Sequence, residues 1–218
     1  MKYLPCLLFF LCACNAPPLA EIPPSNTREV HIFLQNFETQ MPIGSIKLDI
    51  PQKWDTMFTW QHYSCTIPPD ETKYRFQPKT YPVFLENGSF WDDITDSVDQ
   101  LTISHQPNLN PGESDWSYID RHHQNTKDIF LKYYPGETID VDTILTIGEL
   151  RFSILTDIMD EKHPTVATTL VNAVPLRFTF RHVFKHIQPD PATSYRRMIE
   201  VLKSLRITSP PPPPRKQG

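Results

Sequence analysis

Glycine is scarce, at six residues in 218. Phosphate-cradling loops and dinucleotide-binding turns need glycine at fixed spacing, because only a residue without a side chain lets the backbone close on a phosphate. None of the six stands in such a pattern. Gly44-Ser45 and Gly88-Ser89 lack the second glycine of Gly-x-Ser-x-Gly, and neither Ser-x-x-Lys nor His-Glu-x-x-His occurs. An excess of positive charge is also lacking. Lysine and arginine number 21 against 25 acids, a formal net charge of −4, which argues against a general nucleic-acid-binding face. Catalysis and cofactors are therefore not expected. Apolar residues make up 39% and charged residues 21%, a balance that supports a globular core.

One short apolar run stands at the start. Lys2 is followed by apolar residues from Leu4 to Leu11, then Cys12, Ala13 and Cys14. A secretory leader has a charged start and roughly 7–15 apolar residues, whereas a spanning helix needs about 20. Leu11, Ala13 and Cys14 together resemble the bacterial lipobox, which implies a signal peptide over 1–13 and diacylation of Cys14. Cleavage near Ala16 or Ala20 is the plain-leader alternative. Asn15 is not the aspartate associated with inner-membrane retention, so the resemblance implies an exported protein on the outer membrane, facing the periplasm. Of the four cysteines, Cys6 and Cys12 leave with the leader and Cys14 carries lipid. Cys65 then has no partner for an internal bridge and reads as a small buried hydrophobe.

Residues 14–27 carry Pro17-Pro18 and Pro23-Pro24 and read as a semi-rigid tether. A single α+β domain is expected over 28–208. Val30, Ile32 and Leu34 alternate, as do Ile46, Leu48 and Ile50, so Arg28 to Gln35 and Ser45 to Ile50 read as half-buried strands. Pro51 ends the second, and the aromatic bulk from Trp54 to Tyr63 reads as exposed. Further strands are expected at Lys73 to Gln77, Tyr81 to Glu86, Leu101 to His105, Phe130 to Tyr134, Thr138 to Ile147, Glu149 to Ile158, Thr165 to Val174 and Leu176 to Ile187. Asn87-Gly88 is a hairpin signal, and Asn87-Gly88-Ser89 needs no glycosylation reading. Ser114 or Asp115 caps a helix to about Lys127, with Trp116, Ile119 and His123 inward and Arg121, His122 and Gln124 outward. Asp190 caps a C-terminal helix with Pro191 in its first turn. Tyr195, Met198, Ile199, Leu202 and Leu205 form its apolar stripe, and Lys203 and Arg206 suit its last turn. Residues 209–218 are a polyproline tail, either plain linker or a docking ligand.

Ile50-Pro51-Gln52-Lys53-Trp54 after an early strand, and Leu202-Lys203-Ser204 at the last helix end, resemble the PsbP/Mog1-like fold, seen also in small lipoproteins of the DcrB kind. Lys53 stands where a glycine is usual. The resemblance covers roughly Arg28 to Ile207. It implies one curved antiparallel sheet with an inserted helix and a C-terminal helix packed on its faces. It implies no chemistry, since folds of this kind carry many roles.

Few residues suggest a site. His182 and His186 lie four apart, on one face if the chain is extended, but a metal needs three or four ligands. His122 and His123 are adjacent and point apart on a helix. Asp92, Asp93, Asp96 and Asp99 lack the ordered glycine and terminal glutamate of a calcium loop and read as a solvated acidic loop. The sequence thus points to a lipid-anchored periplasmic binding or accessory module. Its partners are the membrane, through the anchor, and an envelope protein. A metal-dependent or hydrolytic envelope enzyme and a toxin-binding immunity lipoprotein are the alternatives.

Overall fold

A computed structural model describes residues 26–35, 42–62, 71–81, 83, 98–105, 115–160, 163–171, 174–183 and 191–208. The leader, Cys14, most of the tether, Cys65, the Asn87-Gly88 turn, Asp92, Asp93, Asp96, His186 and the polyproline tail lie outside these residues. Among the described residues no helix is long and apolar enough to cross a membrane.

The described fold is α+β. Strands β1 (Thr27–Gln35), β2 (Pro42–Pro51), β3 (Thr56–His62), β4 (Glu71–Gln77) and β5 (Val98–His105) precede helix α1 (Asp115–Tyr133). Then come β6 (Asp142–Ile147), β7 (Leu150–Thr156), β8 (Thr165–Val171), β9 (Val174–Val183), helix α2 (Pro191–Lys203) and β10 (Arg206–Thr208). The expectation of one sheet is corrected: among the described residues there are two. Three strands pair in the order β1-β2-β10 and seven in the order β3-β4-β5-β9-β8-β7-β6, every pairing antiparallel.

The main core lies between the sheets. Val30 is opposite Leu48 and Ile32 opposite Ile46 across β1 and β2, so the alternating apolar residues of both strands share one face. That face meets Phe76, Leu101, Ile103, Phe152, Phe178 and Phe180 of the large sheet. Met198, Val201 and Leu202 of α2 enter the same core. Helix α1 covers the other face of the large sheet, over β7 and β8. Tyr118 and Ile119 pack with Leu170, and Phe130 packs with Leu155 and Ile158.

Several boundaries differ from expectation. Residues 130–133 continue α1, because Ile119, His123 and Phe130 keep helical phase along one buried side. The aromatic and branched composition of that stretch had suggested a strand. The helix gives way at Pro135-Gly136, where Gly136 has a φ of 97°, the left-handed conformation that favours glycine. The strand expected from Thr138 begins only at Asp142. Gly148, at φ 60°, turns β6 back onto β7. Val174 and Pro175 belong to β9, facing Val171 and Leu170, so the break before Leu176 falls earlier than expected. Arg206 is not in the last helical turn: it pairs with Lys47 in β10. Trp54 is fully buried rather than exposed, because its indole has a buried partner described below.

The register of β1 against β2 is directly testable. Leu48→Ala empties a fully buried site and is expected to cost about 3 kcal/mol. Phe33→Ala, on the outer face at 67% exposure, is expected to stay within about 0.5 kcal/mol. Urea unfolding midpoints of both variants check the pair.

Candidate functional site

Asp99 occupies a position that alternation reserves for an apolar side chain. It shares a face with Leu101 and Ile103 on β5 and is 1% exposed, so it is no part of a solvated acidic loop. A lone carboxylate there would be very costly. Asp99 is instead surrounded by donors. Trp54 Nε1 donates to Oδ1 at 3.0 Å, and His182 Nδ1 lies 2.9 Å from the same oxygen. Lys53 Nζ bonds Oδ2, and Arg197 of α2 approaches Oδ1 at 3.9 Å. Burial pushes the Asp99 carboxyl up, but the hydrogen bonds and charges of His182 and Lys53 outweigh it and hold the group well below the usual carboxylate range.

Four parts of the chain build this cluster. Asp99 faces His182 across the β5–β9 pairing. Lys53 and Trp54 come from the turn after β2, closed by Trp54 N–H donating to Pro51 C=O at 3.0 Å. Arg28 of β1 grips that turn, donating to Trp54 C=O through Nε at 3.1 Å and Nη2 at 2.5 Å. The Trp54 and His182 rings stack, with centroids 6.0 Å apart and 15° between planes. Ser204, after α2, accepts from the Asp49 N–H at 2.8 Å. The end of α2 is thus bonded to β2 just before the turn whose Lys53 and Trp54 reach the carboxylate.

A carboxylate that orients an imidazole is the base half of a catalytic relay. With Asp99 ionised, Nδ1–H of His182 donates and Nε2 is left open. Nε2 is buried and has no hydrogen-bond partner, so no described nucleophile meets it. The arrangement fixes charge and ring position rather than presenting a base to solvent. Lys53 and Arg197 do reach outward, with side chains 47% and 32% exposed. His182 was legible as a polar residue of interest; His186 lies outside the described residues, and the described partner of His182 is Asp99. Among the described residues no group of three or more His, Cys, Asp or Glu side chains could hold a metal ion.

A second histidine has triad connectivity. His123 Nδ1 lies 3.0 Å from Ser153 Oγ and Nε2 lies 2.8 Å from Asp142 Oδ1. Lys127 also bonds Asp142 and, ahead of the opposing effect of burial, lowers its pKa; His123 lowers it further. Ser153 sits mid-strand, 2% exposed, with Ile144 and Thr168 paired on either side. Its neighbouring amides serve the sheet, so no oxyanion donors are offered. This chain of bonds fastens α1 to β6 and β7. His122, expected outward, is half-buried and stacks on Tyr118 at 5.8 Å.

A cleft of about 230 Å³ lies between the start of α1 and β7, lined by Trp116, Ile119, Leu150 and Arg151 among others. Arg151 lies 4.9 Å over the Trp116 ring and bonds Asp120 at 2.6 Å. No family model, curated protein or solved structure matches this chain.

Two outcomes follow from these groups. Asp99→Ala strands three donors and removes their shared partner, at an expected cost of about 3–5 kcal/mol in urea unfolding. His105 is 1% exposed, with both ring nitrogens unpartnered. Burial lowers its pKa from 6.5 to about 4, against a small opposing effect of Glu71. Burial, with Arg177 and His123, lowers His122 to about 4 as well. The unfolded chain therefore binds these protons first. Their contribution to stability is complete above pH 6.5 and declines as pH falls from 6.5 towards 4. Thermal midpoints across that window should drop, and His105→Phe should flatten the slope.

Proposed function

We propose that this chain is a lipid-anchored, exported binding or accessory domain of the cell envelope, held at the periplasmic face of the outer membrane through Cys14. We read its body as PsbP/Mog1-like. One observation carries the binding reading: two partly exposed cations, Lys53 and Arg197, converge on a buried carboxylate that is itself locked by Trp54 and His182. Rigidly held charge facing outward suits recognition, because little conformational freedom is lost when a ligand arrives. The cluster also lies where the chain enters the domain, since Asn26 C=O accepts from the Gln52 N–H at 2.6 Å. A tether leading to a membrane would attach at that end.

Hydrolysis is the second reading, favoured by the Asp99–His182 pair alone. It requires that His182→Gln abolish turnover of an ester or amide substrate while the fold persists.

Labelled palmitate distinguishes the anchor. The intact chain should take up label in an exporting bacterial host, and Cys14→Ser should take up none and leave the membrane fraction. Label retained in Cys14→Ser overturns the anchoring.

A further inference from the structure

Cation counting around Asp99 gives more than the carboxylate can neutralise. Lys53 and Arg197 meet at the Asp99 carboxylate, Arg28 holds the backbone carbonyl of Trp54 in the adjoining turn, and Asp99 is the one acid among their described partners. Arg28 donates only to a carbonyl. Arg197 makes a single loose approach at 3.9 Å, longer than any good hydrogen bond. Asp55, next to Trp54, turns elsewhere and accepts from the Lys79 N–H at 2.7 Å. The chain as a whole carries a formal −4, so this concentration of positive charge runs against its average.

We infer that Arg28, Lys53 and Arg197 form a binding site for a phosphate group, carried by a lipid or free in solution. Three cations and one carboxylate leave two positive charges to be met. A phosphate monoester carries about −1.5 to −2 at neutral pH and offers three acceptor oxygens. A carboxylate offers one charge and two oxygens. The Arg197 guanidinium can engage phosphate oxygens in pairs, the Lys53 ammonium adds a point charge, and Arg28, whose Nε and Nη2 serve the Trp54 carbonyl, contributes through Nη1 and its charge. Arg28 and Lys53 are held by the Trp54 turn, and Arg197 comes from α2, so the donors arrive from separate elements without rearrangement of the core. Asp99 keeps its role as the internal counter-charge that holds Lys53 in place. The inference rests on the reading of this chain as a binding domain.

The test uses the full-length chain. Inorganic phosphate is titrated by calorimetry, and in a second arm the chain is floated with phosphatidylcholine vesicles with or without phosphatidic acid, whose headgroup is a phosphomonoester. The anchor contributes equally to both vesicles, so only their difference is read. Phosphate binding, or preference for phosphatidic acid, is expected, the first pointing to a free ligand and the second to a lipid. Arg197→Gln is the least disruptive variant, since its only described contact is the 3.9 Å approach. It should weaken binding at least about tenfold, the loss expected for one charge-assisted bond. Lys47→Gln, on the outer face of the small sheet, should change nothing, and thermal midpoints verify that both variants fold. No binding in either arm, or binding unchanged by both Arg197→Gln and Lys53→Gln, overturns the inference. Binding of succinate but not phosphate overturns it too, while leaving the binding-domain reading intact.

Discussion

A single buried carboxylate is the constraint on which the packing turns. Asp99 stands where an aliphatic residue would be cheaper, and its ionised form is tolerable only while Trp54, His182 and Lys53 all supply donors. Those donors come from the β2–β3 turn and the end of β9, with α2 close by through Arg197. Hydrophobic contact is forgiving of small shifts. Three hydrogen bonds to one carboxylate are not, because hydrogen bonds weaken steeply with angle and distance. The network therefore sets how the small sheet and the last helix seat on the large sheet, while the apolar core supplies most of the attraction.

The two faces of the large sheet are managed differently. One is apolar and meets β1, β2 and α2. The other is apolar only under α1, and over β4, β5 and β9 it carries polar side chains that are buried nonetheless, among them Arg75, Gln100, Thr102 and Arg181. Arg75 lies 4.9 Å from the Trp60 ring centroid and 3.3 Å from Thr102. Arg177 and Arg181 reach Asp157 and Asp160 at 3.2 and 2.6 Å. Buried charge is tolerated on this face by pairing, as Asp99 is on the other.

Much of the secondary structure was visible in the residues. Val30, Ile32, Leu34 and Ile46, Leu48, Ile50 announce β1 and β2, and Met198 and Leu202 announce α2. The second half of α1 was obscured because Phe130 to Tyr134 has strand-like composition, and only packing on Leu155 and Ile158 decides the matter. Asp99 was masked by its company. Grouped with Asp92, Asp93 and Asp96 it looks like a solvated run, yet it keeps phase with Leu101 and Ile103, a signal that strand periodicity alone could have raised. Its pairing with His182 was not legible, because 83 positions separate them and only the β5–β9 register joins them. The His123 relay was hidden for the same reason, since Ser153 and Asp142 meet it only after α1 docks.

The small sheet has a mechanical consequence. Thr27 pairs with Pro51 at one end of β2, and Thr208 pairs with Ser45 near the other. Both β1 and β10 run antiparallel to β2, so the chain enters this sheet at one end and leaves it towards the other. Tension between the two ends is thus directed along the strands, across hydrogen bonds that lie perpendicular to it. Bonds loaded in shear yield together rather than one after another. The short β10, three residues long, is the weaker of the two seams, and the ion pairs of Arg206 with Glu29 and Asp49 reinforce it.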